Sequence, residues 1–273
     1  PTYYWADGRD ADGNLVTNMV GSEGEQFLGY EKTAGGNYTQ YIELQANYHR
    51  TFGKHTVDGL LLLNRREYIN SDAGDPISAI PYRNQGLAGR IGYDYDARYF
   101  AEFNFGYNGS ENFKKGQKYG LFPSVALGWL VTNEKFMQGA TNILSKLKIR
   151  GSLGLVGNDQ INGRRFGYLA TIDAIGGYNF GYTENYYKGG YIEGDMAVDN
   201  LTWEKSLKAN VGLEIGLFNS INIQADIFKE WRSDIFMERK TISETAGYNK
   251  YAYANYGKVE NRGFEVSMDY NKA

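Results

Sequence analysis

Residues 89–129 read GRIGYDYDARYFAEFNFGYNGSENFKKGQKYGLFPSVALGW, and their alternation decides the fold class. From Leu87, the odd positions Leu87, Gly89, Ile91, Tyr93 and Tyr95 are mostly apolar. The even positions Ala88, Arg90, Gly92 and Asp94 are small or charged. After the short break Asp96-Ala97-Arg98 the same parity returns: Tyr99, Ala101, Phe103, Phe105 and Tyr107 against Glu102, Asn104, Gly106 and Asn108, with Phe100 the exception. Period-2 alternation of this length is a strand signal, and two such runs joined by a short polar break form a hairpin signal. Ser110 to Lys118 then reads as a charged loop, and Val125, Leu127 and Trp129 resume the phase.

The pattern spreads in both directions. Ile42, Leu44, Ala46, Tyr48 and Phe52 share one face, with Arg50 the exception and Tyr41, Glu43, Gln45, Asn47 and His49 opposite, and Gly53-Lys54 turns the chain. Val57, Gly59, Leu61 and Leu63 follow, opposed by Thr56, Asp58 and Asn64, while Leu60 and Leu62 blur the parity. Downstream, Leu147 to Leu155, Leu207 to Leu217, Ile221 to Ile227 and Phe264 to Tyr270 alternate in the same way, which makes about nine strands. Tight turns at 53–54, 96–98 and 219–220 fall between long loops at 70–81, 110–118, 158–200 and 240–254, while 132–145 is a longer member of the short series that has room for a helical turn. Several strands exceed the usual length of about 5–6 residues. Long alternating strands, short turns at one end, long loops at the other and aromatics near the turns (Phe52, Tyr95, Tyr99, Phe218) are the signature of an antiparallel transmembrane β-barrel. The competing all-β solution is a water-soluble sandwich or barrel, as in a carbohydrate-binding or cell-surface module, which also alternates but turns its apolar face inward.

Composition agrees with many strands. Gly accounts for 35 of 273 residues against 4 Pro, and Tyr alone for 24; that Gly content is well above the usual ~7%. A net charge of -3 carries no nucleic-acid footprint, and the absence of Cys removes any disulfide framework or thiolate site. No run reaches the ~18–20 apolar residues of a membrane helix, and the mean hydropathy of -0.53 is blind to barrels because every second residue of a barrel strand faces water. No signal peptide is visible at the start, so the chain reads as mature, trimmed or excerpted.

Residues 1–37 are rich in Gly, Asp and Asn and are expected to be an extracellular loop or irregular segment, with 38–273 as barrel strands. Asp10-Ala11-Asp12-Gly13-Asn14 resembles the start of a calcium loop, but its twelfth position is Gly21 rather than Glu, so a β-turn is the expectation and no metal is assigned. Enzymatic chemistry has little support. His49 and His55 stand six apart across a turn, and no carboxylate pair is singled out for glycoside hydrolysis by a secreted hydrolase. No catalytic residue or cofactor is expected. Glu43, Asp58, Arg90, Glu102, Lys148, Arg150, Lys208 and Glu214 fall on the wet, lumen-facing parity, where they solvate the interior and pair with one another. The longest loop is crowded with Tyr168, Tyr178, Phe180, Tyr182, Tyr186, Tyr187 and Tyr191, whose flat rings with polar tips suit sugar stacking, docking of a lid, or self-packing of the loop.

Four blocks in order resemble the barrel of SusC/RagA-type TonB-dependent transporters. The first runs through Gly89-Arg90, Arg98-Tyr99, Asn108-Gly109-Ser110, Phe113, Gly120, Phe122-Pro123-Ser124 and Gly128-Trp129. The second is Lys146 to Ser152 with Gly157-Asn158, the third Leu201 to Lys205 with Asn210 to Leu213, and the fourth Asn255 to Glu265. Asn108 stands where the family usually has Asp, and Glu111-Asn112 replaces a commoner Ser-Arg pair. The resemblance implies a barrel of about twenty-two strands, of which this chain carries a part without plug, TonB-contacting segment or closing strand, as an excerpt of a longer protein would. It also implies import of oligosaccharides or peptides across the outer membrane of a Gram-negative bacterium. The partners it implies are outer-membrane lipid, a SusD-like surface lipoprotein acting as a lid, and the TonB complex acting through a plug domain.

Overall fold

The computed structural model describes residues 3–20, 35–140, 142–182 and 186–271. The chain divides into two units, residues 1–36 and 37–273. In the first, β1 (Tyr3–Arg9) and β2 (Leu15–Val20) pair antiparallel. Within the loop or irregular segment expected over 1–37, residues 3–20 form this hairpin. Its period was hidden because both faces are exposed and a bulge at Ala6/Gly8 shifts the register. Asp10 Oδ1 accepts from the amides of Asp12 and Asn14 at 3.0 and 2.8 Å, which spends the carboxylate on its own turn. Gly21 and the rest of 21–34 lie outside the described residues.

The second unit is built on a nine-stranded antiparallel sheet: β3 (Asn37–Phe52), β4 (His55–Asn70), β5 (Tyr82–Tyr95), β6 (Tyr99–Ser110), β7 (Tyr119–Leu130), β8 (Leu144–Asn158), β11 (Glu204–Leu217), β12 (Ile221–Glu238) and β13 (Tyr253–Tyr270). Each strand pairs with its neighbour in sequence, save that β8 pairs β11 across an inserted hairpin of β9 (Ile172–Phe180) and β10 (Tyr186–Glu193). Within the loop at 71–81 a single turn of helix, α1 (Pro76–Ala79), is capped by Asp75, whose Oδ1 accepts from Ile77 N and Ser78 N at 2.9 Å each.

The turn end follows from local chemistry. Asp96 and Ala97 both take positive φ (55° and 51°), as do Phe218 and Asn219 (54° and 52°), the conformation of two-residue hairpin turns whose twist matches the strands. The turns are stitched sideways: Asp96 N donates to Lys54 O, Leu130 N to Arg98 O, and Phe218 N to Ile143 O, at 2.7, 2.7 and 2.9 Å. The helical turn expected between β7 and β8 is two 3-10 turns, Val131–Asn133 and Lys135–Met137.

Directly paired residues share a face, so the registers sort the whole sheet. One face carries Leu44, Tyr48, Leu61, Leu63, Leu87, Ile91, Tyr93, Phe103, Val125, Leu127, Leu153, Val211, Ile227, Phe264 and Val266. The other carries acids, bases, amides and hydroxyls. The apolar face is bare: Leu127 is 62% exposed, Ile227 70% and Phe264 78%. A soluble sandwich would bury that face beneath a second sheet, and among the described residues no second layer covers it. Two aromatic rows bound it. Near the turns, Tyr95, Tyr99 and Trp129 lie ring to ring at 6.4 Å spacings; towards the loops, Tyr107 stacks on Tyr119 at 5.2 Å. Trp129 and Tyr119 stand at opposite ends of β7, which at ~3.4 Å per residue and a tilt of ~40° separates the rows by about 25 Å, the height of a barrel's apolar band.

Small residues keep the strands close. Phe105 lays its ring over Gly89 on the apolar face, so that a Cβ there would meet it at 2.4 Å. Pro123 can donate no ladder bond, and β7 pairs with β8 only from Ser124 onward. The gap this leaves near the loop end holds the Phe122 ring against Gly157.

Candidate functional site

The buried core does not lie between layers; it lies among the loops. Phe113, Ile161, Val198, Leu201, Trp203 and Phe236 form one buried cluster, with Phe122, Tyr168 and Tyr253 packed against it. The Trp203 ring stands 5.1 Å from Phe113 and 5.3 Å from Phe122, edge-on to the latter, and its Nε1 donates to Lys118 O at 3.3 Å. Asn255 substitutes for a missing strand partner: Thr202 N donates to its Oδ1 at 3.0 Å, while its Nδ2 donates to Thr202 O and Asp234 O at 2.9 and 2.8 Å. Asn112 Nδ2 donates to Asp159 O at 3.0 Å, and the Asp159 carboxylate accepts from Tyr82 and Asn84 at 2.7 and 3.0 Å. Residues quoted from the sequence blocks, among them Ser110, Phe113, Phe122, Gly157, Leu201, Trp203 and Asn255, thus converge on one knot that joins the loops to the strands.

Arg165 donates to the carbonyls of Ile77, Ile80 and Pro81 at 3.0, 2.6 and 3.2 Å, which fastens the α1 loop to the long one. A second set of charges fastens the β9–β10 hairpin. Arg164 pairs with Asp195 at 2.5 Å, and Lys250 reaches Asp173 at 2.7 Å and Asp195 at 3.6 Å. Burial pushes the Asp195 carboxyl up, but the Arg164 hydrogen bond and the charges of Arg164 and Lys250 outweigh it and hold it below the ordinary range. The hydrogen bond that Lys250 donates to Asp173 raises the pKa of its ammonium.

The predicted aromatic residues separate into two groups. Tyr168 packs on the buried knot. Tyr178, Phe180, Tyr182, Tyr186, Tyr187 and Tyr191 lie on the hairpin or its turn and are exposed, Tyr178 and Tyr191 by about four-fifths. Pairing of Tyr186 with Phe180 and of Lys188 with Tyr178 sets these four side chains on one face at the tip. The run 158–200, in which the sequence shows no sustained period, therefore holds a hairpin, interrupted by a register shift between Lys188 and Gly190.

On the sheet, Glu43, Asp58, Arg90, Glu102, Lys148, Arg150, Lys208 and Glu214 all fall on the polar face by register. Several are engaged. Arg150 pairs with Glu214 at 3.1 Å and, reaching across β11, with Asp226 at 2.8 Å; Lys146 meets Glu214 at 2.7 Å. The reach is possible because the residue between is Gly212, where a Cβ would stand 2.8 Å from the guanidinium carbon and 2.5 Å from an Asp226 oxygen. Lys148 lies 5.1 Å over the Phe100 ring, Glu102 accepts from Asn104, and Glu43 accepts from Tyr41. Arg90 has no ion-pair partner among the described residues. His49 pairs with Asp58 at 2.5 Å on the polar face, whereas His55 meets Tyr93 at 2.7 Å on the apolar one, so the two histidines stand on opposite sides. Among the described residues no group of three metal-ligating side chains forms. Sequence reasoning missed Asp226 and Asp159; Asp226 stands in phase with the polar parity of β12 and was open to being found, whereas Asp159 follows a strand and carries no period.

No protein-family model matches the chain. It is 29% identical over 274 residues to TonB-dependent receptor P39 of Formosa agariphila, covering 93% of this chain and 24% of that protein. It is 32% identical over 183 residues to TonB-dependent receptor SusC of Bacteroides thetaiotaomicron, covering 66% of this chain and 18% of that one. The chain thus spans a quarter or less of the length of these curated relatives. Among solved structures, the RagAB peptide importer in its closed-closed state superposes with a TM-score of 0.70 at 21% identity, over 85% of this chain and 27% of the matched one. The siderophore receptor PirA from Acinetobacter baumannii shares the fold at a TM-score of 0.55. With an antiparallel sheet in this register and relatives of this kind, the chain is a barrel segment of the SusC/RagA type of TonB-dependent transporter.

Proposed function

We propose that this segment is part of the wall and outer mouth of an energised importer in the outer membrane of a Gram-negative bacterium, carrying oligosaccharides or peptides. The observation that carries the reading is the uncovered apolar face between two aromatic rows, since in water such a face costs free energy that lipid removes. The edge strands β3 and β13 present long unpaired backbones, which lipid does not tolerate, so further strands of the longer protein pair with them. The polar face lines the lumen, with Glu43, Arg90, Glu102, Lys148, Arg150, Lys208 and Glu214 on it. The wall itself performs no covalent chemistry; transport is conformational, with a plug moved by TonB and a SusD-like lipoprotein closing the loop end. Peptides enter as a substrate class through the RagAB likeness.

The β9–β10 hairpin is the part of the loop end that offers exposed rings, and it is proposed to touch cargo or lid through Tyr178, Tyr182, Tyr186, Tyr187 and Tyr191, with Tyr168 supporting it from the knot. Deletion of 172–193 from the full-length protein is expected to lower lid or cargo affinity at least tenfold, with the barrel still found in outer-membrane fractions and still resistant to SDS without heating. Unchanged affinity would remove the hairpin from the contact surface. Recovery of the full-length protein as a folded, detergent-free soluble species would overturn the membrane reading itself.

A further inference from the structure

The apolar wall is not evenly filled. Near the turn end it contains a groove of about 560 Å³, lined by Tyr93, Tyr99, Leu127, Trp129, Ile149 and Val211 around a floor of Ala101 and Gly151. Pairing of Ala101 with Leu127, Leu127 with Gly151, and Gly151 with Val211 makes that floor continuous across four strands. Gly151 is not required by the backbone or by a neighbour: its φ is not positive, and an added Cβ would meet nothing nearer than Asn210 O at 3.8 Å. Glycine weakens a strand and leaves nothing to pack, so its presence here keeps a furrow open where the backbone would accept a Cβ without a clash.

The rim is polar and ordered. Glu134, on the turn below, accepts from Tyr99 Oη at 2.6 Å and from Trp129 Nε1 at 3.2 Å, which fixes the polar tips of both rings toward the turn and leaves their faces to the groove. Arg98 pairs with Glu134 and with Asp96, and Lys54 with Asp96. Lys135, next to Glu134, is exposed and has no carboxylate partner among the described residues. Its neighbour Phe136 is 71% exposed, as an interfacial anchor would be. Three cations, Lys54, Arg98 and Lys135, thus stand with three carboxylates, Glu134, Asp96 and Asp94, at this turn. Lys135 acts on Asp96 through charge alone, and its exposed ammonium makes no direct ion pair that would keep it from an anion at the end of the furrow.

We propose that this groove is a binding site for one glycerophospholipid, an acyl chain lying in the furrow over Ala101 and Gly151 and the phosphate meeting Lys135. Short turns mark the periplasmic end of an outer-membrane barrel, so the occupant belongs to the inner leaflet and is a phospholipid rather than a lipopolysaccharide. The inference rests on the reading of the apolar face as the lipid face.

The test uses the full-length protein in detergent, supplied with dioleoyl phosphatidylethanolamine, delipidated and weighed by native mass spectrometry. Wild type is expected to retain one phospholipid. Gly151→Leu, which fills the furrow, and Lys135→Glu, which reverses the rim charge, are expected to lower occupancy at least fivefold, whereas Ala209→Leu on the same face outside the groove leaves it unchanged. Heat-modifiable gel mobility establishes that each variant is folded, and Lys135→Glu serves where Gly151→Leu fails that check. No retained phospholipid in wild type, or equal retention in all folded variants, overturns the site. A second measurement separates this failure from failure of the underlying reading: brominated-acyl phosphatidylcholine in proteoliposomes quenches the fluorescence that Trp129→Phe removes if the face meets lipid. Absence of that quenching overturns both.

Discussion

At the scale of single residues, the charges on the polar face are held by what is missing between them. Arg150 reaches Asp226 over β11 only because position 212 has no side chain. Gly212→Leu is expected to part the pair and destabilise the wall by about 1–3 kcal/mol, the usual effect of overpacking, seen as a lower urea midpoint for the folded full-length protein in micelles; an unchanged midpoint would mean that the bridge contributes nothing. At the turn end, the Tyr99 hydrogen bond, with help from Trp129 and the charge of Arg98, holds the Glu134 carboxyl below the ordinary range. A carboxyl whose folded pKa is depressed contributes stability above its unfolded pKa and loses it as pH falls through the folded one. Glu134→Gln should therefore flatten the acid limb of the stability curve below the ordinary Glu value of 4.5 and leave the neutral region's slope untouched. An identical acid limb in both proteins would show that Glu134 is not coupled to folding.

At the scale of elements, strands and loops differ in how much of them the sequence announces. The nine strands were legible because one face of each is apolar and the other polar, and parity survives even through Gly89 and Gly212, which take the small places among larger residues. The turns were legible from Gly53 and from the polar break at 96–98; the third tight turn is centred on Phe218-Asn219, one residue before Asn219-Ser220, because Phe218 takes the positive φ that a bulky residue usually avoids. Hairpins β1–β2 and β9–β10 stayed hidden, since both of their faces are largely exposed and bulges break their phase. The buried knot was hidden for another reason: Phe113, Ile161, Val198, Leu201, Trp203 and Phe236 come singly from segments far apart in sequence, and only pairing of the strands brings them together. Trp203→Ala should empty the centre of that knot at a local cost of about 3–5 kcal/mol. Hydrogen exchange would rise in 111–118 and 196–203 while β5 to β7 below the knot keep their protection; uniform loosening of strands and loops together would contradict a separable knot.

At the scale of the whole molecule, the chain inverts the arrangement of a soluble protein. Its large apolar side chains stand exposed on one face of the sheet, its charges line the other face, and its compact core is a cluster of side chains tying loops together. That inversion is stable only if the outward face meets lipid, and every functional statement about lumen, mouth and lid depends on it. The chain contains no Cys, so single cysteines are introduced without background labelling. The most direct test places a nitroxide at each position from 207 to 215 of β11 in the full-length protein reconstituted in bilayers, and compares collision with oxygen and with a water-soluble nickel chelate. The account predicts a two-residue alternation in which 207, 209, 211, 213 and 215 favour oxygen and 208, 210, 212 and 214 favour the chelate. Chelate access at every position, or no alternation, would contradict it.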